Sequence, residues 1–183
     1  QLLGLNIGWL EKSETNVDAT IDVLTDLPSV MVWDAGFLPG PYVMHRALDE
    51  AMARVKTQGM VTMVIKKSQH IACQAAYMPR LIEAGLAGLI TCTTASEHKV
   101  SPHGGIKGVF STNPFAMGAP AGDGAPLIID VSTSITAGGY VKRALRENKA
   151  MDSAVLKDKH GTATDDPTVM ADGGSMQPVG GMD

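Results

Sequence analysis

Residues 30–66 read VMVWDAGFLPGPYVMHRALDEAMARVKTQGMVTMVIK, and this stretch decides the fold class. Val30–Asp34 is β-branched and apolar, the pattern of a strand. Phe37-Leu38-Pro39-Gly40-Pro41 reads as a loop. From Tyr42 to Gln58 the apolar residues recur at helical spacing, with Val43, Ala47, Ala51 and Val55 on one row and Met44, Leu48 and Met52 on the next. Gly59 supplies the C-terminal stop. The methionines on this face are core packing. Met60–Ile65 is then a buried strand, followed by Lys66-Lys67.

Working outward, Ala19–Leu24 predicts a strand joined to Val30–Asp34 through the turn Leu27-Pro28-Ser29. Downstream, Ser68 caps a helix from about Ile71 to Ala84 with Gly85 past its end, and Pro79 kinks it or breaks it in two. Leu86–Thr93 is the next strand. Thr94 to Val109 is a long polar, Gly-rich loop, and loops of that length in compact domains are functional or disordered. Phe115–Ala119 and Pro126–Val131 form a hairpin around Pro120-Ala121-Gly122-Asp123-Gly124. Ser132 or Thr133 caps a helix reaching about Glu147. The remainder reads as turns, and the Gly-rich Asp172–Asp183 offers little to a core. Two helix–strand alternations followed by a hairpin predict an α/β fold with a mixed sheet.

Composition narrows the function classes. The 183 residues suit one domain or at most two, and we take residues 1–183 as a single core. Hydrophobic residues are 44% and charged residues 19%, so the chain is not intrinsically disordered. A net charge of −4 argues against nucleic acid as a partner. No apolar run reaches the length of a membrane span, so no membrane partner is expected. Two cysteines, Cys73 and Cys92, are too few for a secreted disulfide scaffold, and a reduced, cytoplasmic setting fits. There is no G-x-G-x-x-G after a strand, no Walker A loop, no H-E-x-x-H and no C-x-x-C.

Several polar residues stand where chemistry could sit. His70, in Ser68-Gln69-His70, follows a strand and opens the expected helix. An unperturbed imidazole has a pKa near neutrality and can exchange a proton during carbonyl chemistry, although a surface or capping histidine is the commoner role. Asp130 ends an apolar strand just before a helix start. Accepting the N–H groups of Ser132, Thr133 and Ser134 is its ordinary role; hydrogen-bonding a cofactor is the sharper one. Ser111-Thr112-Asn113-Pro114 reads either as a turn or as a polar clamp for a carboxylate or amide. Glu97, His98 and His103 lack a standard metal-ligand spacing, so no metal is expected. Lys142, Arg143 and Arg146 read as a solvated helix face.

Taken in series, these motifs resemble one family. Ser68-Gln69-His70, Gly85-Leu86, Ser101-Pro102-His103-Gly104-Gly105, Ser111-Thr112-Asn113-Pro114-Phe115-Ala116 and Ile129-Asp130-Val131-Ser132-Thr133-Ser134 follow the order and spacing of the malate/L-lactate dehydrogenase group. That group includes ureidoglycolate and sulfolactate dehydrogenases and the piperideine-carboxylate reductases. Asp158-Lys159-His160-Gly161 with Thr164-Asp165-Asp166-Pro167 extends the resemblance. It implies a mixed, largely antiparallel sheet with flanking helices and no Rossmann domain. It also implies NAD- or NADP-dependent hydride transfer between a 2-hydroxy acid and a 2-oxo acid, or reduction of a related cyclic imine, by a homodimer.

By matching positions, the resemblance makes His70 the proton donor and acceptor. His70, Ile71, Ala72, Asp130, Val131 and Ser132 fall in its nucleotide-binding segments, and Ser96 and Thr112 on its substrate side. Ile71 replaces an aromatic residue there, and Asp130-Val131-Ser132-Thr133-Ser134 replaces a typical D-M-A-T-S. Family chains are longer, with a Ser-His-Gly motif and a substrate-binding Arg upstream and a K-G-Y-G segment downstream. The sequence is therefore expected to be the central part of a longer enzyme. The competing expectation is a non-catalytic fragment that keeps the binding and oligomerisation core. A metal-dependent hydrolase built on His98 and His103 is the weaker third.

Overall fold

A computed structural model describes residues 2–12 and 14–181. The chain divides into two compact units, residues 1–73 and 74–183. Among the described residues, the strands form three three-stranded sheets, one in the first unit and two in the second.

The first unit begins with helix α1 (Leu2–Glu11) and is built on a βαβ crossover. Strand β1 (Asp22–Asp26) runs antiparallel to β2 (Val30–Asp34), with a register shift between Val23 and Thr25. The turn between them closes with the Leu27 N–H donating to the Val30 carbonyl at 2.9 Å. Helix α2 (Gly40–Gln58) then carries the chain over to β3 (Thr62–Lys66), which pairs parallel to β2. A parallel partner requires such a crossover, so the strand–helix–strand pattern of residues 30–66 fixes this topology. On the helix-facing side Met31, Trp33 and Ala47 pack together against Met63 and Ile65. Val43, Met44, Ala47 and Leu48 form the buried stripe of α2, and Gly59, at φ 75°, ends it by donating to the Val55 carbonyl. The helix starts two residues before the expected Tyr42, because Pro41 in its first turn lacks only an N–H that would be unpaired there anyway.

The continuous helix expected from Ile71 to Ala84 does not form. Residues 67–73 are irregular, a short 3-10 helix covers Gln74–Tyr77, and α3 spans only Met78–Glu83, with Pro79 in its first turn. Lys67 and Ala72 both adopt positive φ, 52° and 64°, which no helix accommodates. Ser68 does not cap; its hydroxyl donates to the Gln69 carbonyl.

In the second unit β4 (Gly88–Thr91), β5 (Phe115–Ala119) and β6 (Leu127–Val131) form an antiparallel sheet with β5 in the middle. The hairpin turn stands as expected, with Gly122 at φ 55° and the Gly124 N–H on the Ala121 carbonyl. The last helix, α4 (Gly138–Glu147), starts later than Ser132 or Thr133. The Ser132 hydroxyl bonds the Ser134 carbonyl at 2.7 Å and the Ser134 hydroxyl bonds the Thr136 carbonyl at 2.6 Å. Such local bonds compete with helix formation. Lys142, Arg143 and Arg146 are exposed, and Arg143 pairs with Glu147 one turn on.

The chain end expected as turns carries a third sheet. Strands β7 (Leu156–Lys157), β8 (Ala163–Thr164) and β9 (Ser175–Met176) pair in the order β8-β7-β9. Leu156, Met176, Val100, Val141 and Val155 make its core. Where the Gly-rich end was expected to offer little to a core, Ser175, Met176 and Gln177 are at most 1% exposed. Gly174 makes this possible: a Cβ there would lie 2.6 Å from the carbonyl oxygens of Lys157 and Val169, so only glycine lets the strand reach its neighbours. The 94–109 loop is ordered too, since Val100 bridges both Phe110 and Met176.

Candidate functional site

In the first unit the candidate residues gather where the chain leaves the carboxyl ends of the parallel strands β2 and β3. That end of an α/β crossover is where ligands collect in open sheets. A cavity of about 160 Å³ lies here, lined by Leu10, Thr15, Pro39, Gly40, Pro41, Gln69 and His70. The backbone of Gln69 and His70 is pressed onto the first turn of α2. A Cβ at Gly40 would fall 2.3 Å from the Gln69 oxygen and 2.4 Å from the His70 oxygen. The Gln69 side chain donates to the Glu14 carbonyl at 2.5 Å and its N–H to the Leu38 carbonyl at 3.1 Å, which fix the segment from two more sides.

His70 is exposed, and its ring centroid stands 6.3 Å from that of Trp9 at a tilt of 42°, within the range of favourable ring contacts. Its Nδ1 accepts the Ala72 backbone N–H at 3.1 Å. That bond needs the lone pair of Nδ1, so the neutral ring that makes it carries its proton on Nε2. It also holds Ala72 in its left-handed conformation, a local strain of the kind found at functional sites. Nearby in the fold, Asp34 at the end of β2 pairs with Lys67 at 2.9 Å and with its cross-strand neighbour Lys66 at 3.3 Å. The Lys67 ammonium, then the Gly36 N–H and Lys66, hold its carboxyl down to about 2.

In the second unit Asp130 bonds a residue that the sequence reading did not offer. Its Oδ2 accepts the Ala75 backbone N–H at 2.7 Å, tying the 3-10 helix to β6. Beside it, the buried Gln74 donates from Nε2 to the Cys92 sulfur at 3.2 Å. Burial pushes the Cys92 thiol up, the Gln74 hydrogen bond offsets part of this, and the Asp130 charge adds to the rise. Val131 ends β6 opposite Phe115, and Ser132 turns its hydroxyl onto Ser134. The Thr112 carbonyl accepts both the backbone N–H and the hydroxyl of Thr133, at 2.9 and 3.1 Å. Thr112 and the Asp130–Ser132 segment are thus joined through one residue. Ser96 lies exposed in a turn of the 94–109 loop. His98 is bonded to the Val109 carbonyl, and among the described residues no group of three or more His, Cys, Asp or Glu is placed to hold a metal. No helix among them is long and apolar enough to cross a membrane.

A model of the malate/L-lactate dehydrogenase family matches residues 2–182. The chain belongs to that family. It is 33% identical to the Δ1-pyrroline-2-carboxylate/Δ1-piperideine-2-carboxylate reductase of Pseudomonas syringae pv. tomato over 188 residues, covering 98% of this chain and 50% of that protein. It is 28% identical to the malate dehydrogenase of Pyrococcus horikoshii, covering 91% and 45%. Among solved structures, a dehydrogenase from Sinorhizobium meliloti superposes with a TM-score of 0.88 at 29% identity, over 97% of this chain and 51% of that one. The chain spans about half the length of the curated relatives it matches. The mixed α/β architecture with antiparallel sheets is the fold of this dehydrogenase family, as the motif series implied.

Membership leaves several contributors that the motif series did not single out. Gly40 acts only through a close backbone approach, so nothing in its local sequence beyond the Pro-Gly-Pro run marks it. Trp9 and Gln74 reach their partners from distant positions in the chain. Asp34 becomes notable only once β3 lies beside β2 and brings two lysines to it.

Proposed function

We propose that the chain contributes the nucleotide-binding and proton-exchanging residues of an NAD- or NADP-dependent oxidoreductase acting between small 2-hydroxy and 2-oxo acids or on a related cyclic imine. The observation that carries this reading is the family match across residues 2–182. The nicotinamide, when bound, supplies the hydride. The residues fit such a group chemically: exposed backbone beside His70, a carboxylate at Asp130 and the hydroxyl and amide donors of residues 111–134. His70, Ile71, Ala72, Asp130, Val131 and Ser132 would hold the nucleotide, and Ser96 and Thr112 the substrate.

The role given to His70 rests on its place in the motif series and on the acid–base chemistry of imidazole. As a carbonyl or imine carbon is reduced, negative charge grows on its oxygen or nitrogen, and a positioned acid neutralises it. In the imidazolium form both ring nitrogens carry protons, so the Ala72 N–H contact made by the neutral ring is released; Nε2 then gives up its proton to the substrate, and in the reverse direction takes it back. The Gly40 packing fixes the backbone that carries the ring, which is what an exchange over a short distance requires. The 33% identity to a cyclic-imine reductase supports cyclic imines or their 2-oxo acid counterparts as substrates. A reduced, cytoplasmic setting is supported by two free cysteines. The homodimer rests on the family resemblance.

The test is His70→Ala in the full-length enzyme, followed at the reduced-nicotinamide absorbance with a panel of 2-oxo acids and cyclic imines. Loss of a proton donor lowers turnover by roughly 10²- to 10⁴-fold. Unchanged turnover with every accepted substrate overturns the assignment.

A further inference from the structure

We propose that the side-chain amide of Asn113 is a recognition group of this site, donating from Nδ2 to a planar oxygen acceptor on the ligand. The acceptor is either the substrate carboxylate or the carboxamide oxygen of the nicotinamide. The proposal rests on the oxidoreductase reading above and names a contact within it.

Asn113 is held in an unusual state. Its backbone has φ 38°, a conformation that asparagine tolerates better than most residues, and Pro114 follows directly. Its Oδ1 accepts two hydroxyls, from Ser111 at 2.5 Å and from Thr93 at 2.6 Å. Both bonds run from a hydroxyl O–H to Oδ1, so the buttressed atom is the amide oxygen. Ser111 is itself fixed: it is 6% exposed and accepts the Thr94 backbone N–H at 3.2 Å.

With both lone pairs of Oδ1 engaged, the two N–H groups of Nδ2 are the free end of the side chain, and no described residue accepts from them. Asn113 is only partly buried, so these donors are reachable. The arrangement is a donor immobilised before any ligand arrives, which is how a site lowers the ordering cost of binding. The neighbouring Thr112 carbonyl is clamped by Thr133, beside the Asp130–Ser132 segment assigned to the nucleotide. The same two bonds therefore fix the amide with respect to that segment.

Asn113→Asp keeps the oxygen that Ser111 and Thr93 hold and replaces the donor by a charged acceptor. In the full-length enzyme, a rise of at least tenfold in KM for the 2-oxo acid, with NAD(P)H affinity unchanged by fluorescence titration, supports the proposal and identifies the carboxylate. A rise of that size in the NAD(P)H Kd supports it and identifies the carboxamide. Neither constant moving in a folded variant overturns it.

Thr93→Val removes one buttress without touching the donor. It is expected to raise the same constant severalfold at unchanged kcat, with Thr93→Ser restoring it. A change in kcat alone overturns the positioning role. These two variants also serve if Asn113→Asp fails to fold. Wild-type enzyme that neither binds NAD(P)H nor turns over sinks the oxidoreductase reading and this inference together. Wild type that binds nucleotide, beside an indifferent Asn113→Asp, sinks this inference alone.

Discussion

The segment bearing His70 and the segments bearing Asn113 and Ser134 are both irregular, and different forces hold them. Around His70 the chain is shaped by backbone: α2 approaches so closely at Gly40 that no Cβ fits, and the ring is tied to its own segment through Ala72. Around Asn113 and Ser134 it is shaped by hydroxyls, each satisfying a carbonyl, an amide or another hydroxyl. Steric packing fails all at once when violated, whereas a hydrogen-bond network loses one member at a time. The two regions should therefore answer substitution differently.

The largest effect is expected at Gly40. Gly40→Ala drives a methyl into the carbonyls of Gln69 and His70, and forcing them apart costs about 3 kcal/mol in urea unfolding. Turnover should fall with it, because the His70 backbone is what moves. Wild-type stability in this variant would break the contrast between the two regions.

A smaller loss is expected at Ser134, which is 3% exposed and bonds the Thr136 carbonyl at 2.6 Å. Ser134→Ala leaves that carbonyl without its hydroxyl and should cost roughly 1–2 kcal/mol by the same measurement. A cost matching that of Gly40→Ala would show that the hydroxyl region is as unforgiving as the packed one.

Charge adds the smallest effect at neutral pH and sharpens the contrast in acid. The Asp34 carboxyl sits at about 2 when folded against an ordinary 3.8, so the unfolded chain binds the proton more tightly. The stabilisation from its lysine pairs is therefore complete above about pH 4 and disappears as pH falls through 2. Urea midpoints measured between pH 5 and pH 2.5 should fall less for Asp34→Asn than for wild type. Parallel curves would mean that these ion pairs contribute nothing to the first unit.

Residues whose role depends on neighbours in sequence were legible in advance. The strand–helix–strand run of residues 30–66, the hairpin at Pro120–Gly124 and the motif order that points to the dehydrogenase family all follow from local pattern. Misreadings came where a competing local bond, or a long-range contact, overrides the pattern. Ser68 and Ser132 have the chemistry of helix caps, yet their hydroxyls find carbonyls one and two residues away. Asp130 has three plausible N–H partners just after it, yet bonds Ala75 from a distant turn. Two-residue strands such as Ser175–Met176 are too short to show any periodicity.

The sequence by itself determined the fold class and the family, because hydrophobic period, turn chemistry and motif order are properties of the chain read in line. Tertiary structure alone decided which atoms the proposed site residues present. The neutral His70 ring turns Nδ1 onto the Ala72 N–H, and Asn113 presents nitrogen because two hydroxyls claim its oxygen. Gly40 is required because another backbone passes within a Cβ of it. Each of these depends on distances of a few ångströms between residues, and only the folded chain sets such distances.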